Sequence, residues 1–232
     1  MRPLTVAALA AVAAAGGDDG DETSSAPAPA PGGETGGKTV VAALGDSITS
    51  GSPGFDPNPE ARFQYGFGDD ERSSYEYWAQ RANPGIAFRN CGVFGERTDE
   101  IAERLQGCAY GASAIVIQGG INDIAQGRSV DDAADDLRQM VADSKEMGLA
   151  VALVDVLPWN NGYPDADGPI RELNDLIAQI GEDEGVPVLP FHDTLEDPGA
   201  PGRMPKQLTA DGDHPSVEGY RRLGEKAFRV PG

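Results

Sequence analysis

The chain has 232 residues, of which 39% are hydrophobic and 24% charged, and this composition is typical of one soluble globular domain. Asp and Glu number 38 against 18 Lys and Arg, which gives a formal net charge of −20 at pH 7. A protein this acidic repels phosphate backbones and anionic lipid, so we expect no nucleic-acid partner. The two cysteines allow one disulfide bond at most.

The N-terminal residues are predicted to lie outside the folded domain. An apolar, alanine-rich stretch covers residues 4–15, which is too short to span a bilayer and typical of a signal peptide over residues 1–15; a disordered tail is the alternative. Residues 16–38 are rich in Gly, Pro, Ala and acid, which predicts a disordered linker. We therefore expect a secreted protein, taken as a monomer, with one domain over residues 39–232 and no stable membrane insertion.

Within that domain, short apolar runs alternate with amphipathic patterns. The predicted strands cover residues 39–44, 86–90, 114–118, 149–154 and 186–191. The predicted helices cover residues 74–82, 99–106, 130–147, 169–184 and 216–228. Continuous apolar runs indicate strands buried on both faces, so we expect a three-layer α/β/α, flavodoxin-like fold around a five-stranded parallel sheet.

Active sites of such folds lie beyond the carboxyl ends of the strands, and three polar, glycine-rich segments follow strands directly. Residues 45–49 place Ser47 at the end of the first strand, where it is either a nucleophile or the N-cap of the next helix. Residues 90–98 contain Gly92 and Gly95, each a possible backbone donor or a turn residue. Residues 119–123 offer the Asn122 side-chain amide, or an Asx turn.

A fourth segment, residues 211–215, precedes the last predicted helix. Asp211 and His214 are three residues apart there, so a turn lets the carboxylate orient the imidazole. The chain has only two histidines, which disfavours an incidental one. The other, His192, stands beside Asp193 and is the alternative base.

Together the four segments resemble the SGNH family of GDSL-type esterases and lipases over essentially the whole domain, with Ile48 where that family has leucine. The resemblance implies a serine nucleophile at Ser47, a base at His214 oriented by Asp211, and no metal or cofactor. It also implies an oxyanion hole of the backbone N–H groups of Ser47 and Gly95 and the amide of Asn122. Gly95 is favoured over Gly92 because residues 96–98 resemble those that follow that glycine in the family.

The expected reaction is hydrolysis of carboxylic esters, small or polymer-linked, with short acyl chains. Alternatives on the same machinery are carbohydrate O-acetylesterase, lysophospholipase and thioesterase activity, and a non-enzymatic alternative is an inactive secreted binding domain. Phe94, Ile124 and Trp159 are expected to line the substrate pocket, although surface packing would explain them equally. In an exported protein, Cys91 and Cys108 are expected to form a disulfide bond rather than two free thiols.

Overall fold

The computed structural model describes residues 37–232, so the predicted signal peptide and nearly all of the predicted linker lie outside the described residues. The strands are β1 (Thr39–Gly45), β2 (Ile86–Gly92), β3 (Ala114–Ile117), β4 (Ala150–Val154) and β5 (Val188–Leu189). All pairings are parallel and the strand order is β2-β1-β3-β4-β5. This is the flavodoxin-type order, and it confirms the predicted fold class.

Helices connect and cover the strands. They are α1 (Ser47–Ser50), α2 (Pro59–Tyr65), α3 (Tyr75–Ala82), α4 (Thr98–Glu103), α5 (Leu105–Ala109), α6 (Ile121–Gln126), α7 (Val130–Glu146), α8 (Asp167–Glu184), α9 (Phe191–Leu195) and α10 (Val217–Arg222). A 3₁₀ turn at Glu71–Ser73 precedes α3, and a π-helical turn at Leu223–Ala227 continues α10. None of the helices within residues 37–232 is long and apolar enough to cross a membrane.

The sheet separates two hydrophobic cores. Val41 and Ala43 of β1 face one core, and Ala42 and Leu44 face the other. The first core contains side chains from α3, α9 and α10, and the second contains side chains from α4, α5, α7 and α8. Because successive residues of a strand point to opposite faces, a strand covered on both sides needs the unbroken apolar run that the sequence shows.

The register brings the carboxyl ends of the central strands to one edge. In β1, Gly45 pairs with Gly92 of β2, and Leu44 pairs with Ile117 of β3. The loops that follow these three strands therefore start side by side, and they contain the first three polar segments.

Several predicted boundaries differ from the structure. The helix expected over residues 99–106 is two helices, α4 and α5, which meet at Arg104. The last strand is shorter than expected, because Phe191 begins α9. The final helix changes to a π-helical turn at Leu223, and a Cβ atom on the next residue, Gly224, would lie only 2.5 Å from the Tyr75 carbonyl oxygen. Helices α1, α2, α6 and α9 do not correspond to any predicted helix.

Candidate active site

The first polar segment forms a tight turn that presents Ser47 at the end of β1. Asp46 caps α1, since its Oδ1 accepts the backbone N–H of Ile48 at 2.8 Å. A Cβ atom on Gly45 would lie 2.3 Å from Thr49 Oγ1, so only glycine leaves room for the turn to fold back on the strand. Ser47 itself is buried, with 5% of its surface exposed.

A chain of hydrogen bonds links Ser47 to the fourth polar segment. His214 Nε2 lies 3.1 Å from Ser47 Oγ, and His214 Nδ1 lies 2.8 Å from Asp211 Oδ2. The other oxygen of Asp211 accepts the backbone N–H of His214 at 2.8 Å. The fold thus brings together the three residues that the sequence singled out. His192, in contrast, is buried with its Nδ1 3.5 Å from Asp193 Oδ1.

The two carboxylates flanking this chain have opposite electrostatic surroundings. Burial raises the pKa of Asp46 to about 6, although the Ile48 N–H and the Gln118 amide oppose that shift. Burial also acts upward on Asp211, but the hydrogen bonds and charge of His214 outweigh it and lower the pKa to about 2. Asp211 is therefore ionised at neutral pH, which is the state that can hold Nδ1 of His214 protonated.

Hydrogen bonds hold the turn around Gly95 to the end of β1 and to α6. Val93 N–H donates to the Gly45 carbonyl at 3.0 Å, which ties the turn to the end of β1. On α6, the amides of Asn122 and Gln126 donate to the carbonyls of Glu96 and Gly95 at 2.9 and 3.1 Å. Gly95 has φ +83°, a left-handed conformation that favours glycine.

Two backbone donors at the site are unoccupied. Within residues 37–232, neither the N–H of Ser47 nor that of Gly95 donates a hydrogen bond. Asn122 uses one amide hydrogen on Glu96 and has a second one to offer. The N–H groups of Ser47 and Gly95 and the amide of Asn122 are the three groups that the family resemblance predicts as oxyanion donors.

Gly92, the alternative to Gly95 as a backbone donor, has a structural role. Its N–H donates to Asn90 Oδ1 at 2.9 Å and is therefore already used. A Cβ atom at this position would lie 2.0 Å from the backbone N of Ser50. Gly92 is thus needed because α1 packs directly against the end of β2.

Two charged residues that the sequence analysis did not assign connect the loops of the site. Asp123 is fully buried and accepts the N–H and the hydroxyl of Thr98 at 3.0 and 2.9 Å, with Arg128 at 2.7 Å. Arg104 donates to the carbonyl of Cys91 at 2.6 Å. Asp123 stood in a segment already singled out, but its partners are set by tertiary contacts that sequence spacing does not reveal.

The structure contains a disulfide bond between Cys91 and Cys108, 17 residues apart. The bond joins the end of β2 to α5. The enclosed segment includes Gly95, so the turn that carries this candidate donor is closed covalently as well as by hydrogen bonds.

Three aromatic side chains pack against one another, and one of them, Phe94, lies beside His214; we call Tyr65, Phe67 and Phe94 the aromatic rim. The Phe94 ring centroid is 6.3 Å from that of His214, with 29° between the planes. Phe67 and Tyr65 follow at 5.1 and 6.1 Å from Phe94. Tyr65 is 54% exposed and Phe94 43%, so the rim offers apolar surface to a molecule bound at the site.

The other two residues predicted to line the pocket, Trp159 and Ile124, do not belong to the aromatic rim. Trp159 donates to Asp213 Oδ1 at 2.6 Å and lines a cavity of about 10 Å³ together with Ile48, Gln118 and Leu157. That volume holds about one water molecule. Ile124 instead packs against the core formed with α7 and α8.

A group with possible metal ligands lies at α9. His192, Asp193 and Glu196 each place one ligand atom within 4.8 Å of the others. Glu196 Oε1 already accepts hydrogen bonds from Arg171 and the backbone N–H of Gly202, at 3.2 and 2.7 Å. A cation there would compete with the Arg171 guanidinium.

The hydrogen-bonded serine, histidine and aspartate side chains beyond the carboxyl end of β1 form the arrangement that serine hydrolases use. A model of the GDSL-like lipase/acylhydrolase family matches residues 43–222, and the chain belongs to this family. It is therefore an enzyme, a GDSL-type ester hydrolase. No curated protein sequence matches the chain.

Solved structures with the same fold are similar over most of their length. A protein assigned to the lipolytic G-D-S-L family from Desulfitobacterium hafniense is 21% identical with a TM-score of 0.68, covering 81% of this chain and 97% of that one. A GDSL-like lipase from Bacteroides thetaiotaomicron is 23% identical with a TM-score of 0.62, covering 82% and 85%. A variant of an acetyl xylan esterase from Geobacillus stearothermophilus is 21% identical with a TM-score of 0.63, covering 82% and 92%.

Proposed function

We propose that the protein hydrolyses carboxylic esters with short acyl groups through an acyl-enzyme on Ser47. The observation that carries this proposal is the hydrogen-bonded order of Ser47 Oγ, the His214 ring and the Asp211 carboxylate, at 3.1 and 2.8 Å. A serine hydroxyl becomes a good nucleophile only when a base removes its proton, and an ionised carboxylate keeps that base in the correct tautomer.

In the first half of the reaction, Ser47 Oγ attacks the carbonyl carbon while its proton passes to His214 Nε2. The negative charge that develops on the carbonyl oxygen is stabilised by the N–H groups of Ser47 and Gly95 and the amide of Asn122. Collapse of the tetrahedral intermediate breaks the bond to the alcohol oxygen, which takes the proton from Nε2. The acyl group stays on Ser47.

In the second half, water attacks the acyl-enzyme and gives a proton to His214 Nε2. A second tetrahedral intermediate forms at the same donors and then expels Ser47 Oγ, which recovers the proton. The products are one carboxylic acid and one alcohol per water consumed.

Two features support a small acyl group and a larger alcohol group. The cavity beside Ile48 holds about one water molecule, which suits a short acyl chain. The leaving oxygen must receive its proton from His214, so the alcohol lies on the side of this residue, next to Phe94 and the rest of the aromatic rim. An ester of a ring-bearing alcohol, including an acetylated sugar, fits this arrangement.

We also propose that the protein is secreted after loss of residues 1–15. The disulfide bond between Cys91 and Cys108 supports an oxidising compartment, since such bonds are rare in the cytosol. Mass spectrometry of the exported protein tests the cleavage site. An exported chain that keeps residues 1–15 would contradict it.

The decisive experiment is hydrolysis of p-nitrophenyl esters of two to sixteen carbons by the parent and by Ser47→Ala. We expect highest activity on the shortest esters and loss of activity in a Ser47→Ala variant with an unchanged circular dichroism spectrum. The chain offers a matched pair for the base: His214→Asn should be inactive, whereas His192→Asn should retain the parent kcat. A folded parent that is inactive on every p-nitrophenyl ester would favour a carbohydrate O-acetylesterase or the inactive binding domain instead.

A further inference from the structure

The amide of Gln118 and the carboxylate of Asp46 lie side by side at the ends of β3 and β1. Gln118 Nε2 donates to Asp46 Oδ2 at 2.9 Å, and the backbone N–H of Asp46 donates back to Gln118 Oε1 at 3.2 Å. Asp46 is completely buried and Gln118 is 5% exposed, so water does not compete for these hydrogen bonds.

The same amide reaches the far side of the nucleophile. Gln118 Oε1 also accepts the hydroxyl of Thr49 at 2.8 Å, while Asp46 Oδ1 holds the N–H of Ile48. Residues on both sides of Ser47, Asp46 and Thr49, are therefore hydrogen-bonded to the side chain of Gln118, which directly follows the neighbouring strand β3. This arrangement requires the glycine at position 45, where a Cβ atom would lie 2.6 Å from Gln118 Oε1.

We propose that Gln118 is a positioning residue, which fixes the turn from Asp46 to Thr49 and thereby holds Ser47 Oγ at His214 Nε2. The inference rests on the proposed function. The Ser47 side chain has one hydrogen bond, to His214, so its place depends on the backbone of the turn. Displacing a reacting group by about 1 Å can cost about 10²-fold in rate.

The chemistry of the pair permits a charge-swap test. In Gln118→Glu, two buried carboxylates face each other. In Asp46→Asn, the new side-chain NH₂ group faces the NH₂ group of Gln118. If the Gln118 amide turns over to accept from it, the Gln118 NH₂ group faces the backbone N–H of residue 46 instead. In the double variant, the amide at position 46 donates to the carboxylate at position 118, which still accepts from the backbone N–H at 46 and from Thr49.

With p-nitrophenyl acetate, we expect each single variant to lower kcat by about 10- to 100-fold with little change in KM. The double variant should recover at least about tenfold over either single variant. The kcat is expressed per Ser47 that reacts with a fluorophosphonate, so loss of folded protein does not count as loss of rate. Gln80→Glu, the same exchange at an exposed glutamine whose Oε1 accepts the Phe88 N–H, should leave kcat unchanged.

The outcomes are separable. An inactive parent would contradict the proposed hydrolase reaction, whereas an active parent with unchanged kcat in Gln118→Glu contradicts only the positioning role. A double variant no better than the worse single one also overturns it. If the single and double variants fail to fold, Thr49→Val decides, because it removes one hydrogen bond to Gln118: a severalfold lower kcat supports the proposal and an unchanged kcat overturns it.

Discussion

Asp211 accepts hydrogen bonds from two atoms of His214, the backbone N and the ring Nδ1, each at 2.8 Å. The backbone contact fixes the turn, and the ring contact fixes the imidazole within it. The position and the tautomer of the proposed base therefore depend on one carboxylate three residues upstream.

Asp211→Asn should lower kcat by about 10³- to 10⁴-fold, since an amide can donate to Nδ1 and favour the wrong tautomer. KM should change little, because Asp211 contacts His214 and not the ester. Steady-state kinetics on p-nitrophenyl acetate measure both constants. Asp131→Asn, at the exposed start of α7, is the control and should match the parent. A parent-like kcat in Asp211→Asn would show that His214 needs no carboxylate.

Phe94→Leu should raise KM severalfold for phenyl acetate and leave ethyl acetate nearly unchanged, because the aromatic rim lies on the alcohol side of His214. The comparison keeps the acyl group constant and varies only the alcohol. Phe63→Leu is the matched control, since Phe63 is 93% exposed in the same part of the chain and lies outside the rim. Equal losses on both acetates would remove the rim from alcohol recognition.

Removing the disulfide bond by Cys91→Ala with Cys108→Ala should lower the free energy of unfolding by about 3 kcal/mol, the value expected for closing a loop of this length. Urea denaturation followed by circular dichroism measures the change. Dithiothreitol should destabilise the parent by a similar amount and have no effect on the double variant. A parent insensitive to the reductant would mean that the bond adds no stability.

Asp155 should make stability depend on pH. Burial raises its pKa to about 7, against hydrogen bonds from the N–H groups of His192 and Phe191 and with the charge of Asp193 adding to the rise. The unfolded group titrates near 4, so the folded state loses stability as the pH rises from about 4 to 7.

Between pH 4 and pH 8, the free energy of unfolding should therefore fall less in Asp155→Asn than in the parent. The difference between the two decreases should be on the order of 1–3 kcal/mol. Urea titrations at both pH values give the difference. Asp165→Asn, an exposed carboxylate, should keep the parent's pH dependence. Identical curves for Asp155→Asn and the parent would show that Asp155 titrates normally in the folded state.

Sequence patterns predicted what depends on local residues. The five strands were visible because strands buried on both faces need unbroken apolar runs. The helix predicted over residues 130–147 is α7, and its start is fixed locally by Ser129, whose Oγ accepts the N–H of Asp132 at 3.0 Å. Ser47, Asp211 and His214 stood out because a turn after a strand and an acid near a histidine are local arrangements.

Other features are fixed by contacts between distant segments that no motif marks, and these were not predicted. Helix α6 has only six residues, and hydrogen bonds from Asn122 to Glu96 and from Thr98 to Asp123 hold it in place. The contacts of Gln118 required knowing that β3 lies beside β1, which no local pattern specifies.

The disulfide bond also changes what a single break in the backbone can do. Residues 91–108 form a covalent ring that contains Gly95 and α4. A protease that cuts once within this ring leaves both new ends attached to the same molecule. Release of the segment that carries the candidate oxyanion donor would need a second cut within the same ring, so a single proteolytic event leaves the site covalently connected.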